Sequence, residues 1–126
     1  MSLGENLIVT LFGESHGPAV GALIEGMPPN VEPDFDVLVA DMISRRPGSG
    51  LASKRKETDE VEFLAGIYDG KTTGMPILLL IKNKDVRSKD YSFLPHQPRP
   101  GHADFPINVK TEGAADLRGG GSFSAR

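Results

Sequence analysis

The chain has 126 residues, 14 lysines and arginines against 17 aspartates and glutamates, a net charge of −3, and no cysteine. That balance leaves no global cationic field for nucleic acid or a membrane surface. It also excludes a disulfide framework, a thiolate metal site and a cysteine nucleophile. No apolar run approaches the roughly 20 residues of a membrane span, so the expectation is a soluble intracellular protein, one domain at most or a piece of a larger one.

Leu7 to Phe12 is a short β-prone run that reads as a buried strand. It leads into the polar segment Gly13-Glu14-Ser15-His16-Gly17-Pro18, and Ala19 to Ile24 reads as a second strand. The simplest pairing is a hairpin with Gly13–Gly17 at its tip. From Asp34 the period changes: Phe35, Leu38, Val39, Met42 and Ile43 share one face of an amphipathic helix. Asp34 suits its N-cap, Arg45-Arg46 suit its last turn, and Pro47-Gly48 stops it. After a polar stretch from Ser49 to Thr58, the alternation of Val61, Phe63, Ala65 and Ile67 predicts a half-buried strand. Asp69-Gly70 marks a turn, and Met75 to Ile81 is a continuous apolar strand able to pair back. A short helix is expected over Phe105 to Leu117, and Gly119-Gly120-Gly121 then reads as a loop delivering a further helix at Ser122.

The 15 glycines and 10 prolines exceed the average share of roughly 12% for the two together, and loops are where sites are usually built. The most constrained of these loops is Arg99-Pro100-Gly101-His102-Ala103-Asp104, where prolines stiffen the backbone on both sides of Arg99. A permanent cation, an imidazole and a carboxylate emerge from that one segment, the parts for holding an anion and moving a proton. His16 is framed in the same way, with Glu14 beside it; the plain alternative for either histidine is a surface or capping role. Arg45, Arg46, Arg99 and Arg126 all adjoin Gly or Pro turns, and their planar forks suit phosphate or carboxylate. The triple glycine matches neither a dinucleotide fingerprint nor a P-loop, but a glycine run into a helix start can present N–H groups to a phosphate. From the residues alone, the chain reads as a proton-transfer site for a small polyanion, and the reaction stays open.

Five segments occur in order: Phe12-Gly13-Glu14-Ser15-His16-Gly17, Arg45-Arg46-Pro47-Gly48, Asp90-Tyr91-Ser92, Arg99 to Asp104, and Arg118-Gly119-Gly120-Gly121 with Ser124-Ala125-Arg126. With Gly74-Met75-Pro76-Ile77 between them, they resemble the N-terminal portion of the chorismate synthase family, from about Leu7 to Arg126. The resemblance implies an α+β fold, an α/β sandwich of antiparallel sheets with flanking helices, of which residues 1–126 are the first part, ending inside a motif. It implies a homotetrameric, cytoplasmic flavoprotein lyase of the shikimate pathway of aromatic amino-acid biosynthesis. That enzyme removes phosphate and a proton from 5-enolpyruvylshikimate 3-phosphate in a 1,4-anti elimination, giving chorismate. It needs reduced FMN, with NADPH entering only through flavin reduction. On the matching positions, His16 is the acid toward the departing phosphate and His102 the neighbour of the flavin. Arg45, Arg46, Arg99 and Arg126 hold the substrate, and Ser122, Phe123 and Ser124 contact FMN. Asp104 is left a structural task, orienting His102 or the turn.

Three positions depart from the family pattern. Ser122 stands where Arg or His is frequent, Phe105 where Tyr is frequent, and Leu51 where an Arg assigned to nicotinamide binding is common. Family members run to roughly three times this length. The expectation is therefore that this chain is inactive by itself and associates through uncovered edges. Two other readings remain: a non-catalytic anion binder, and a metal-dependent hydrolase using His16 and His102.

Overall fold

A computed structural model of the chain describes residues 2–44, 60–83, 92–94 and 96–119. The chain divides into two compact units, one of Met1–Leu11 with Gly21–Lys82, the other of Phe12–Val20 with Asn83–Arg126. In chain order the elements are β1 (Ser2–Leu3), β2 (Ile8–Gly13), β3 (Ala19–Glu25), α1 (Phe35–Ser44), β4 (Val61–Ala65), β5 (Ile67–Tyr68), β6 (Lys71–Thr72), β7 (Ile77–Lys82) and α2 (Asp104–Lys110). Five strands form one sheet in the order β1-β2-β3-β7-β4, and β5 and β6 form a two-stranded ribbon. β1 pairs antiparallel with β2, and β4 with β7. The result is the expected α+β class, with β2 and β3 adjacent as the hairpin reading requires.

The strand expected to run from Val61 through Ile67 is broken in two. Gly66 takes φ +84°, and a Cβ there would lie 2.6 Å from the backbone of Ile77 and Pro76. The close approach needs glycine, and it ends β4 one residue before β5 begins. The register against β7 also slips between Phe63 and Ala65. Asp69 and Gly70 then both adopt positive φ, 47° and 74°, the signature of a type I′ turn joining β5 to β6. Thr72, on β6, is buried; its hydroxyl donates to the Pro28 carbonyl at 2.6 Å and accepts from the Val31 N–H at 2.9 Å.

α1 starts as its cap predicts, with Asp34 Oδ1 accepting from the Val37 N–H at 3.0 Å. Its apolar face is only partly covered among the described residues. Leu38 and Met42 are half-buried, whereas Phe35, Val39 and Ile43 are exposed. Phe35 does meet Phe63 edge to face, with ring centroids 5.4 Å apart. The second helix is shorter than its expected span of Phe105 to Leu117. It begins at Asp104 and ends at Lys110, because Glu112 and Gly113 turn to φ 53° and 82° and break the helical ladder. The buried apolar side chains among the described residues are Val20, Ile77 and Leu117. No helix among the described residues is long and apolar enough to cross a membrane.

Candidate functional site

The site lies in the second unit, where the end of β2 delivers the Glu14–Pro18 connection. That loop is tied down by Asn83, whose side-chain amide donates to the carbonyls of Glu14 at 3.0 Å and Gly17 at 2.8 Å. Asn83 N–H donates to the Pro18 carbonyl at 3.0 Å, and Gly17 N–H closes back on the Glu14 carbonyl at the same distance. Four bonds on so short a loop fix its course and turn Ser15 and His16 inward. His16 is only 5% exposed and Ser15 is buried beside it.

The residues after α2 meet that loop. Gly119 approaches so closely that a Cβ on it would stand 2.6 Å from both His16 Nδ1 and Ser15 Oγ. Ser15 Oγ sits 3.4 Å from His16 Nδ1 and donates to the Arg118 carbonyl at 3.5 Å, two long contacts that align the hydroxyl with the ring edge. The positive φ of 60° at Gly119 and the missing side chain together let the backbone reach the imidazole.

Arg99 holds the same turn from its other side. Its backbone N–H and Nε donate to Asp104 Oδ2 at 2.9 and 2.8 Å, and Nη2 donates to Asp104 Oδ1 at 2.7 Å. Nη2 also reaches the carbonyls of Leu117 at 2.9 Å and Gly119 at 2.7 Å. Asp104 is 4% exposed, and its carboxyl is lowered to about 2, first by the Arg99 side-chain bonds, against the opposing effect of burial. A second pair, Asp116 and Arg118, flanks Leu117 in the turn that Arg99 holds. Arg118 donates through Nε to Asp116 Oδ1 at 2.8 Å and through Nη2 to Asp116 Oδ2 at 2.6 Å. These bonds are the main cause lowering the Asp116 carboxyl, with a smaller contribution from the nearby His16, and they raise the Arg118 guanidinium.

The two histidines that look alike in sequence have opposite surroundings. His16 is buried; His102 is exposed, with Nδ1 3.2 Å from the Pro100 carbonyl. Asp104 orients the turn but not His102: its carboxylate bonds are to Arg99. Gly101 permits the bend at φ 75° with open space around it. Arg45, Arg46, Arg126, Ser122, Phe123, Ser124 and Leu51 lie outside the described residues. Among the described residues, no three His, Asp or Glu side chains gather as metal ligands.

Sequence reasoning gave no role to Asn83, Asp116 or Arg118. Asn83 acts on residues 66 and 69 positions away and carries no local signal. Asp116 and Arg118 had one: a carboxylate two residues before an arginine, immediately ahead of the glycine run.

An antiparallel α+β protein with a buried histidine seated against a glycine turn is the class this fold and site define. The family model for chorismate synthase matches residues 7–126, and the chain belongs to that family. It is 50% identical over 125 residues to the chorismate synthase of Aeropyrum pernix, covering 99% of this chain and 33% of that protein. To the chorismate synthase of Xylella fastidiosa it is 52% identical over 126 residues, again 99% of this chain and 34% of the relative. A crystal structure of chorismate synthase is similar over 64% of this chain and 22% of that one, with a TM-score of 0.52 at 33% identity. The chain spans about a third of the length of the curated relatives it matches.

Proposed function

We propose that this chain carries the proton-donating and anion-holding part of a lyase that eliminates phosphate from 5-enolpyruvylshikimate 3-phosphate to give chorismate. The observation that carries the reading is His16, a buried imidazole pressed against the Gly119 backbone in a chain of this family. Phosphate leaves poorly as a full dianion, so a proton delivered to its bridging oxygen as the C–O bond breaks lowers the barrier. His16 supplies that proton in this reading, and the closed surroundings of its ring limit competition from water.

Arg45, Arg46 and Arg126 hold the phosphate and carboxylates. Arg99 is the fourth arginine of the set, and its fork on Asp104 favours a supporting part over direct contact. Reduced FMN, when bound, lends electron density to the substrate without net redox change. Ser122, Phe123 and Ser124 are assigned to it, and His102 fits beside it. The His102 imidazole is exposed, and Nδ1–H donation to the Pro100 carbonyl leaves Nε2 for a partner. Such a group near a reduced flavin helps set the charge on that ring. NADPH belongs only to flavin reduction. The finer expectations of a cytoplasmic, homotetrameric enzyme go with this reading, and the exposed Val37, Val39 and Ile43 of α1 and Leu64 of β4 suit an assembled rather than a bare surface.

The test is anaerobic. Substrate and reduced FMN are added to the chain alone and to the chain joined to the segment its longer relatives carry beyond it, and chorismate and phosphate are measured. The joined protein is expected to turn over and the chain alone to fall silent. His16→Ala in the joined protein should lower turnover by ~10²–10⁴. Unchanged turnover in that variant overturns the assignment of the acid.

A further inference from the structure

We propose that Arg99 and Asp104 form a latch that positions His16, by holding the Leu117–Gly119 turn against the imidazole. This inference rests on the proposed role of His16 and adds to it the device that seats the ring. The chain of contacts is continuous. Asp104 takes Nε and Nη2 of Arg99, and Nη2 reaches the carbonyls of Leu117 and Gly119. Gly119 then lies where a Cβ would stand 2.6 Å from His16 Nδ1, and Ser15 Oγ reaches the Arg118 carbonyl within the same turn. The two N–H groups of Nη2 face three acceptors, so one hydrogen is shared, and the planar fork fixes carboxylate and carbonyls in one arrangement.

Burial supports the latch. Asp104 is 4% exposed, and the Arg99 side chain is 18% exposed, so their bonds form with little competition from water. Leu117, the residue whose carbonyl is held, is itself a buried apolar side chain. The turn is thus pinned by packing at Leu117 and by Arg99 at both Leu117 and Gly119. What it covers is one side of His16, which needs a fixed orientation to hand a proton in one direction. Arg99 is a positioning residue in this account, acting on His16 through backbone alone. A lysine in its place keeps the charge but lacks the fork that spans Asp104 and two carbonyls.

The experiment measures carbethoxylation of His16, His96 and His102 by diethyl pyrocarbonate, followed by peptide mass spectrometry on the 126-residue chain. His96 and His102 are both exposed, and His96, which lies outside the Arg99–Asp104 bend, is the reference within each sample. In the parent, His16 should react much more slowly than either. Arg99→Lys and Asp104→Asn should each speed His16 by about tenfold, the scale of one lost charge-assisted bond, with the His96 rate unchanged. The double variant should react no faster than the faster single, because both remove one latch. A general loosening of the fold also speeds amide hydrogen exchange in β4 and β7; a latch frees His16 and leaves that exchange unchanged. His16 rates unchanged in both variants, or β4 and β7 amide exchange rising along with the His16 rate in Arg99→Lys, overturn the proposal. If either variant unfolds, Gly119→Ala decides, since its Cβ must push the turn off the ring while Arg99 and Asp104 stay intact. Faster His16 labelling there supports the seat, and an unchanged rate overturns it. The assay uses neither flavin nor substrate, so a failed latch and a failed lyase reading give different results.

Discussion

Arg99 and Asp104, five residues apart, meet through a two-pronged ion pair, with Nε to Oδ2 at 2.8 Å and Nη2 to Oδ1 at 2.7 Å. The pair closes the Pro98–Asp104 bend on itself and anchors the residues after α2. The fork geometry also explains why Asp104 is buried: a carboxylate with three donors from one arginine needs no water.

The pair makes stability depend on acid in a defined direction. The Asp104 carboxyl is lowered from 3.8 to about 2, so its stabilising effect is complete above the unfolded value and is lost as pH falls through about 2. A shift of that size corresponds to about 2 kcal/mol. Urea unfolding of the parent between pH 5 and pH 2 should show this loss, and Asp104→Asn should show a flatter dependence over the same window. Equal slopes for the two proteins contradict the assignment.

Asn83 is the residue that makes the His16 loop rigid. Removing its amide with Asn83→Ala leaves the Glu14 and Gly17 carbonyls without those donors, at a cost of about 1–3 kcal/mol. Hydrogen exchange at the Gly17 amide, which itself bonds to Glu14, is the direct measurement. Faster exchange there, with β4 and β7 amides unaffected, is the expected pattern.

Two glycines of positive φ in the first unit predict unequal penalties. A Cβ added at Gly70 would meet no atom within 4 Å, so Gly70→Ala carries only the left-handed backbone cost of about 1 kcal/mol. Gly66→Ala carries the same cost plus a collision with the backbone of Ile77 and Pro76 at 2.6 Å. Thermal unfolding should therefore rank Gly66→Ala well below Gly70→Ala. A reversed order places the break in β4 elsewhere.

Much of the local structure was legible because it follows from neighbours in the chain. The Asp34 cap, the Asp69-Gly70 turn and the strands on either side of Glu14–Pro18 each rest on backbone rules that operate within a few residues. Where the reading missed, a distant contact or an unforeseen turn decided. β4 ends at Gly66 because Ile77 lies against it, and the helix expected as far as Leu117 stops at Lys110 where Glu112 and Gly113 turn over. The apolar stripe of α1 was correctly periodic, but periodicity says which face is apolar and not what covers it.

By itself the sequence determined the family, the α+β class, the capped helix and the pairing of a constrained arginine with histidine and aspartate. Those are matters of residue type and spacing, and the chain carries them openly. Only the tertiary structure decided that His16 is buried while His102 is exposed, that Asp104 serves Arg99 rather than His102, and that Gly119 sits at the His16 ring. The reason is physical. A side chain's surroundings are set by what folds onto it, and Arg118 reaches Ser15 across 103 residues of chain, a separation that no local pattern can encode.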